Sequence, residues 1–215
     1  MKLRNIWVPV ALVAVALSAC QRSDTATTAA SAESTADGKN AVIETIMNRR
    51  SIRDYQERAV SRDTMALIAE CGINAPNAMN KQDWEIRIVD NPEFINGVTR
   101  LFVKENPQMA EDPKFRNMFR NAPTVVFIAA PDNGYSGVNC GLLGENMILA
   151  AWSMGIGSCC LGGPVAFMKS QPAADYLAQL NFSEGYTLLY AIGFGFPAET
   201  PEAKPRDKAK IRFVD

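Results

Sequence analysis

The sequence contains no histidine. This absence excludes a Ser-His-Asp triad, a Cys-His catalytic pair and any zinc site that uses histidine ligands. None of the cysteine spacings matches a metal-binding knuckle, and adjacent Cys159 and Cys160 rarely form a disulfide with each other. We therefore expect Cys71, Cys140, Cys159 and Cys160 to be small hydrophobic residues buried in the core.

An excess of basic residues is also missing. The 22 Lys and Arg against 23 Asp and Glu give a net charge of −1, and loss of Lys2 and Arg4 with an N-terminal leader takes it to −3. Because no positive excess offsets repulsion from phosphates, nucleic acid is not an expected partner. The length of 215 residues, with 47% hydrophobic and 21% charged residues, indicates one globular domain.

The apolar run Ile6–Leu17 is too short to span a bilayer comfortably, and the basic residues before it are typical of a cleaved leader. The motif Leu-Ser-Ala-Cys at residues 17–20 resembles the lipobox of bacterial lipoproteins. That resemblance implies lipidation of Cys20, and Gln21 after it favours sorting to the outer membrane. The alternative is an ordinary secretory signal cut after Ala19.

The sequence thus predicts three parts: a signal peptide at residues 1–19, a flexible tether at 20–40 starting from lipidated Cys20, and a folded domain at 41–215. The tether is rich in Ser, Thr and Ala and has no apolar periodicity. We expect the domain to be anchored to a bacterial membrane, facing the periplasm or the cell surface.

Helical and extended patterns follow one another without regular strand–helix alternation, which favours an α+β fold. Helices are predicted over 41–48, from 61 to 72–75, over 92–104, 140–154 and 166–179, and strands over 84–89, 122–130 and 186–194, with 211–214 as an edge strand. The polar stretch 105–121 contains Pro107 and Pro113 and is a candidate lid over an active site.

Three arginines and a serine hydroxyl occur within five residues at Arg49, Arg50, Ser51 and Arg53. The planar guanidinium fork suits a doubly charged phosphate, and a hydroxyl can donate to a remaining oxygen. This cluster predicts a site for the phosphate of a flavin nucleotide. The alternative is a solvated basic surface, since charge runs are usually solvated.

Three further segments offer complementary chemistry. The carboxamides of Asn80 and Gln82 provide donors and acceptors for the pyrimidine edge of a flavin, or they simply cap turns. The glycines of Leu161–Pro164 let backbone N–H groups approach a ring closely, or they form an ordinary turn. The pair Lys204 and Arg206 completes a phosphate clamp, or it is surface charge.

Together these motifs resemble the nitroreductase family of FMN-dependent enzymes over roughly Val42 to Arg206. The resemblance rests on Arg-Arg-Ser-Ile-Arg at 49–53, Ala-Pro-Asn-Ala-Met-Asn-Lys-Gln-Asp-Trp at 75–84, Gly-Ile-Gly-Ser-Cys-Cys-Leu-Gly at 155–162, and Ile-Gly-Phe-Gly at 192–195 before Lys-Pro-Arg at 204–206. It implies a mixed, mainly antiparallel sheet flanked by helices in an interlocked homodimer, with residues 211–214 crossing to the partner's sheet.

The resemblance also implies a role for each candidate residue. The FMN phosphate is bound by Arg49, Ser51, Lys204 and Arg206, with Arg50 contributing through its backbone or ribityl contacts. The pyrimidine half of the ring contacts Arg53, Asn80 and Gln82, and N5 lies near backbone groups of Leu161, Gly162 and Gly163. The second subunit reaches the flavin with Pro76 and Asn77. Two positions depart from the family pattern. Asn77 replaces the usual Ser and Asp83 replaces the usual Pro. The family's substrate preference and its local geometry at these positions are therefore not carried over to this chain.

The function that this resemblance implies is a two-step exchange. NAD(P)H reduces FMN, and a nitroaromatic, a quinone or a similar small acceptor then takes the electrons. Because an exported domain meets little reduced nicotinamide, another electron donor is an alternative. Two further alternatives are a flavin-dependent dehydrogenase or dehalogenase and a lipoprotein that binds a flavin or another ligand without turnover.

Overall fold

The computed structural model describes residues 40–215. The predicted signal peptide, the lipidation of Cys20 and the tether up to residue 39 lie outside the described residues. The helices are α1 (Ala41–Asn48), α2 (Arg62–Ile73), α3 (Pro92–Glu105), α4 (Ser136–Ser153), α5 (Gly163–Met168) and α6 (Ala174–Gln179), and the strands are β1 (Glu85–Val89), β2 (Thr124–Pro131), β3 (Gly157–Leu161) and β4 (Tyr186–Gly195). Among these helices, none is long and apolar enough to cross a membrane.

The four strands form one antiparallel sheet in the order β1-β2-β4-β3. An isolated bridge between Ser51 and Ser158 adds a parallel contact along the free edge of β3. The predicted α+β class with a mixed, mainly antiparallel sheet is therefore confirmed.

The central strand β2 is buried on both faces, as its continuous apolar run predicts. Because side chains alternate along a strand, Val126 and Ile128 pack toward α2 and α4, where Met147 meets them. Val125 and Phe127 pack on the opposite face against α3, α5 and α6. The sheet is thus flanked by helices on both faces.

Two secondary-structure predictions need correction. The predicted helix 166–179 is two helices, α5 and α6, separated by a 3-10 turn with Pro172 in its first positions, because proline cannot continue a helical hydrogen-bond ladder. The predicted edge strand 211–214 is absent from the single chain. Phe213 and Val214 are both 96% exposed, and no other part of residues 40–215 pairs with this tail.

Candidate functional site

The arginine segment starts where α1 ends. The Asn40 side chain caps α1 by accepting hydrogen bonds from the N–H groups of Val42 (3.0 Å) and Ile43 (3.1 Å). At the other end, the Arg50 guanidinium donates to the carbonyl of Met47 at 3.0 Å and to that of Arg49 at 2.7 Å. Arg50 therefore satisfies carbonyls that the helix leaves unpaired, and it fixes the direction in which the segment leaves α1.

Ile52 anchors the segment to the sheet. Its N–H donates to the Ser158 carbonyl at 2.9 Å, and its side chain is 1% exposed. A Cβ on Gly157 would lie 2.6 Å from Ile52 Cγ1, so glycine is needed there to admit Ile52. The buried Tyr55 hydroxyl donates to the Ile52 carbonyl at 2.6 Å, and burial raises the pKa of Tyr55 far above its ordinary value. The polar side chains of Ser51 and Arg53, on either side of the buried Ile52, are thereby left accessible to solvent.

The segment after β4 runs beside the arginine segment and is hydrogen-bonded to it. The N–H of Gln56 donates to the Phe196 carbonyl at 2.9 Å, and that of Ala198 donates to the Asp54 carbonyl at 3.0 Å. The N–H of Arg53 donates to a Glu199 carboxylate oxygen at 2.5 Å. These contacts bring the distant residues 201–206 alongside residues 49–53.

The two segments enclose a cleft of about 150 Å³. Its lining residues are Arg49, Arg50, Ser51, Arg53, Pro201, Glu202, Lys204 and Arg206. Six of the eight are predicted FMN-binding residues: four at the phosphate, Arg50 beside it, and Arg53 at the pyrimidine half of the ring. Five cations against one carboxylate give the cleft a positive field, and a hydroxyl adds a neutral donor.

The size and donors of the cleft fit a phosphate group rather than a whole nucleotide. Arg49 is partly engaged already, because its Nε lies 3.3 Å from a Glu145 carboxylate oxygen on α4. The Arg206 guanidinium donates to the backbone carbonyl of Lys204 at 3.0 Å, which ties the Arg206 side chain to its own segment. Contact of these residues with FMN stays a prediction.

A larger cavity of about 570 Å³ adjoins the cleft and shares Arg53 with it. One wall is Gly163 and Pro164, at the start of α5. Another wall comes from the stretch 105–121, the candidate lid. Arg120 lines this cavity and is a site residue that sequence reasoning missed, since its placement depends on the turn after the lid.

The glycines at the cavity wall have no internal steric role. A Cβ added to Gly162 or Gly163 meets nothing within 4 Å, and neither residue has a positive φ. Leu161 beside them is buried and pairs with Ala191 of β4. Backbone groups at Gly162 and Gly163 thus stay open to a ligand, as the predicted ring contact requires.

Hydrogen bonds of three asparagines and Asp83 organise the loop 75–84. Asn77 Oδ1 accepts the N–H of Gln82 at 2.9 Å, and Asn139 Oδ1 on α4 accepts the N–H of Ala78 at 3.1 Å. Asn139 Nδ2 donates to Asp83 at 3.3 Å, and Asn133 Nδ2 donates to its other oxygen at 3.0 Å. The two departures from the family pattern, Asn77 and Asp83, therefore hold the loop in place.

This loop does not join the phosphate cleft within one chain. Pro76, Asn77, Asn80 and Gln82 line neither that cleft nor the adjoining cavity as the described residues form them. Asn80 and Gln82 are exposed, with φ of 51° and 52°, a left-handed conformation that non-glycine residues adopt at a cost. Their predicted contact with the flavin stays a prediction.

The cysteine prediction holds in part. Cys140 and Cys159 are buried, Cys71 is half-buried and all four are free thiols, but Cys160 is exposed because it faces outward from the edge strand β3. Burial raises the pKa of Cys140 to about 11. Burial also raises the pKa of Cys159, and the positive charges of Arg53 and Arg120 partly oppose that rise. Residues 40–215 contain no cluster of acidic or cysteine side chains that could hold a metal ion.

A cationic cleft beside an open glycine turn, on an α+β sheet, is compatible with a nucleotide-binding class of protein. The family model described as the Nitroreductase family matches residues 46–196. The chain belongs to the nitroreductase family, which confirms the resemblance drawn from the sequence and the predicted oxidoreductase class.

Relatives with solved structures share the fold. A nitroreductase with bound FMN from Bacteroides fragilis superposes with a TM-score of 0.72 at 26% identity, covering 82% of this chain and 100% of that one. A nitroreductase with bound FMN from Desulfitobacterium hafniense gives 0.73 at 26% identity, with the same coverage. The NADPH-flavin oxidoreductase of Vibrio harveyi is 27% identical over 178 residues, 80% of this chain and 72% of its own length.

Proposed function

We propose that this protein is an FMN-dependent oxidoreductase that takes electrons from NAD(P)H and passes them to a nitroaromatic, a quinone or a similar small acceptor. The observation that carries the proposal is the cationic cleft, in which Arg49, Ser51 and Arg206 meet from two distant segments. Family membership and relatives with bound FMN support the same reading.

The residues of the cleft have separable tasks. Arg49, Ser51, Lys204 and Arg206 hold the phosphate, and Arg50 fixes the segment through its contacts with the end of α1. FMN, when bound, supplies the hydride chemistry at N5 of its ring. Arg53 lines both the cleft and the adjoining cavity, so its charge lies where negative charge on the ring would be stabilised.

The open backbone at Gly162 and Gly163 complements Arg53. N–H groups without a neighbouring side chain can donate to a ring edge at close range. The larger cavity next to them then accommodates the donor and the acceptor in turn. Its wall from the stretch 105–121 excludes water from one side.

We also propose that the site is completed in a homodimer. Loop 75–84 presents Asn80 and Gln82 to solvent, and the exposed apolar residues of α1, α4 and the C-terminal tail need a cover. These include Val42, Ile43, Met47, Val138, Leu142, Ile211, Phe213 and Val214. A second copy of the chain covers them and brings Pro76, Asn77, Asn80 and Gln82 to the flavin of the first.

The proposal also includes anchoring of the domain to a membrane. A signal peptide at 1–19 and lipidated Cys20 would anchor the domain to a bacterial membrane outside the cytoplasm, where NAD(P)H is scarce. A membrane-linked reductant is then the alternative donor. Mass spectrometry of the membrane fraction checks the anchor, because a mature chain that begins at Cys20 without added lipid would contradict it.

An anaerobic titration tests the function. The purified domain should take up FMN, show flavin absorbance, and bleach rapidly when NADH or NADPH is added. Reoxidation by a nitroaromatic or a quinone should then restore the absorbance. A domain that takes up no FMN rules the proposal out. A flavin that binds but does not bleach with either nicotinamide favours another donor or a protein that binds without turnover.

A further inference from the structure

The 570 Å³ cavity has apolar walls suited to a flat ring. The side chains of Phe102, Met109, Phe115 and Met118 line it. Phe102 is held edge-on by Phe167, with ring centroids 5.2 Å apart, and Met118 is buried. Aromatic and thioether groups pack favourably on aromatic faces, so these walls favour a planar aromatic ligand.

The acidic side chains at this cavity are already engaged by main-chain donors. Each of the three carboxylates that line it accepts a hydrogen bond from a backbone N–H, which satisfies part of its demand for donors. These contacts are Asp54 with Tyr55 N at 3.1 Å, Asp112 with Lys114 N at 2.9 Å, and Glu199 with Arg53 N at 2.5 Å.

The basic side chains are not engaged in the same way. Within residues 40–215, the Lys114 ammonium and the Arg120 guanidinium make no hydrogen bond or ion pair, although both line the cavity. Arg53 donates one side-chain hydrogen bond, to the Ser51 carbonyl at 3.2 Å. Two cationic side chains without a partner among the described residues therefore line the cavity beside its apolar walls, an arrangement that favours an anionic group on the ligand.

Arg120 is placed by a strained turn. Its φ is 57°, and Asn121 after it has φ 64°, so two non-glycine residues in a row are left-handed. Asn121 holds the turn with its side chain: Oδ1 accepts the N–H groups of Arg116 (2.8 Å) and Asn117 (3.1 Å), and Nδ2 donates to the Lys114 carbonyl at 2.8 Å. Strain that the surroundings enforce in this way commonly marks a functional position.

We propose that this cavity selects a planar aromatic ligand with an anionic substituent, such as an aromatic carboxylate, and that Arg120 is the residue that determines this specificity. Lys114 contributes a second, more mobile charge. The ring packs between Phe102 and Phe115, and the anionic group lies at Arg120. In treating the ligand as an electron acceptor, the inference rests on the proposed function.

Equilibrium binding tests the charge preference without turnover. Benzoate and its neutral isostere benzamide are titrated into the purified protein by calorimetry, with the wild type, Arg120→Gln and Lys104→Gln compared. Lys104 is exposed and lies outside the cavity, so Lys104→Gln removes one positive charge at a control position. A charge-assisted hydrogen bond predicts roughly tenfold tighter binding of benzoate, lost in Arg120→Gln only. Equal affinity for both ligands in the wild type overturns the proposal.

Reduction of 4-nitrobenzoate and 4-nitrobenzamide tests the same residue during turnover. The KM for 4-nitrobenzoate should rise about tenfold in Arg120→Gln, while that for 4-nitrobenzamide should not change. Arg120→Lys should retain part of the preference, and Lys114→Gln provides a second test if Arg120→Gln does not fold. If Arg120→Gln instead impairs only the use of NADPH relative to NADH, Arg120 binds the donor's phosphate and the proposal is wrong.

These outcomes are distinct from a failure of the proposed function. A protein that takes up no FMN but prefers benzoate contradicts the oxidoreductase alone. A protein that binds FMN and reduces both nitro compounds equally well contradicts the selectivity of the cavity alone.

Discussion

The phosphate cleft and loop 75–84 are two halves of one predicted site, and they are built differently. The cleft is complete within a single chain, because hydrogen bonds between residues 53–56 and 196–199 bring its two segments together. Loop 75–84 is equally well held, through Asn139 on α4, but it presents Asn80 and Gln82 to solvent. We therefore predict that the first half binds its ligand group alone, whereas the second half acts on the flavin of a second subunit.

Complementation between subunits tests this difference most directly. One variant combines Arg49→Ala with Arg206→Ala in the cleft, and the other combines Asn80→Ala with Gln82→Ala in the loop. Each should be nearly inactive alone. Unfolding and refolding the two together should restore about a quarter of the wild-type sites, because half of the randomly formed dimers pair an intact cleft with an intact loop at one of two sites.

The matched control places all four substitutions in one chain and refolds it with the wild type. Activity should then fall to about a quarter of the wild-type sites, half of what dilution alone predicts, because neither site of a mixed dimer combines an intact cleft with an intact loop. If mixing the separate variants restores no activity, although each binds its partner normally by light scattering, both halves act within one subunit and the proposed dimeric site is wrong.

Substitutions within the cleft should separate binding from reactivity. Arg49→Ala should weaken FMN binding by roughly 10- to 100-fold, since it removes a charge-assisted contact with the phosphate. Arg53→Ala should change the rate of flavin reduction more than the affinity, because Arg53 also lines the adjoining cavity, where the electron donor and acceptor would meet the flavin. Quenching of FMN fluorescence gives the affinity, and stopped-flow bleaching gives the rate.

Arg62→Ala is the control for these variants. Arg62 is exposed, its Nε lies 2.6 Å from an Asp90 carboxylate oxygen, and it does not line the cleft. Its removal should therefore leave FMN affinity unchanged. If Arg49→Ala and Arg53→Ala both lower only the affinity, the two arginines have the same task and the division of the cleft is wrong.

The sequence was most informative where structure and chemistry are local. The period of apolar residues predicted α1 and α2, and the cap at Ser61 is present, accepting the N–H of Thr64 at 3.2 Å. The arginine cluster needed only its residue types to indicate an anion site. For Lys204 and Arg206 the residue types left a phosphate clamp and surface charge equally open, and the family resemblance favoured the clamp, because no local pattern connects residues about 150 positions apart.

Other features depended on contacts that no local pattern encodes. The role of Asp83 requires Asn139, which lies on another element. Exposure of Cys160 follows from the edge position of β3, and the cavity role of Arg120 follows from a left-handed turn fixed by Asn121. The tail 211–214 has a strand-like alternation, but a strand also needs a hydrogen-bonding partner, which the described residues 40–210 do not provide.

Two glycines extend the contrast between internal structure and ligand contact. Gly157→Ala should destabilise the fold by about 1–3 kcal/mol, because its Cβ would lie 2.6 Å from Ile52 Cγ1. Gly163→Ala should change stability by less than about 0.5 kcal/mol, since its Cβ meets nothing within 4 Å. Denaturant unfolding of the apoprotein measures both. A weaker FMN affinity or a slower reduction in Gly163→Ala at unchanged stability would assign that glycine to the ligand.

Asp83 offers a way to weaken the contacts that hold loop 75–84 in place. Asp83→Ala removes the acceptor of Asn133 and Asn139 and should cost about 1 kcal/mol of unfolding free energy, with Asn139 left buried and partly unpaired. Asp83→Asn keeps an acceptor oxygen and should recover part of that loss. If loop 75–84 acts from the partner subunit, Asp83→Ala should also weaken FMN binding in the dimer while leaving the lining of the phosphate cleft intact. Unchanged FMN affinity in a destabilised Asp83→Ala dimer would show that the loop stabilises α4 but does not contribute to the flavin site.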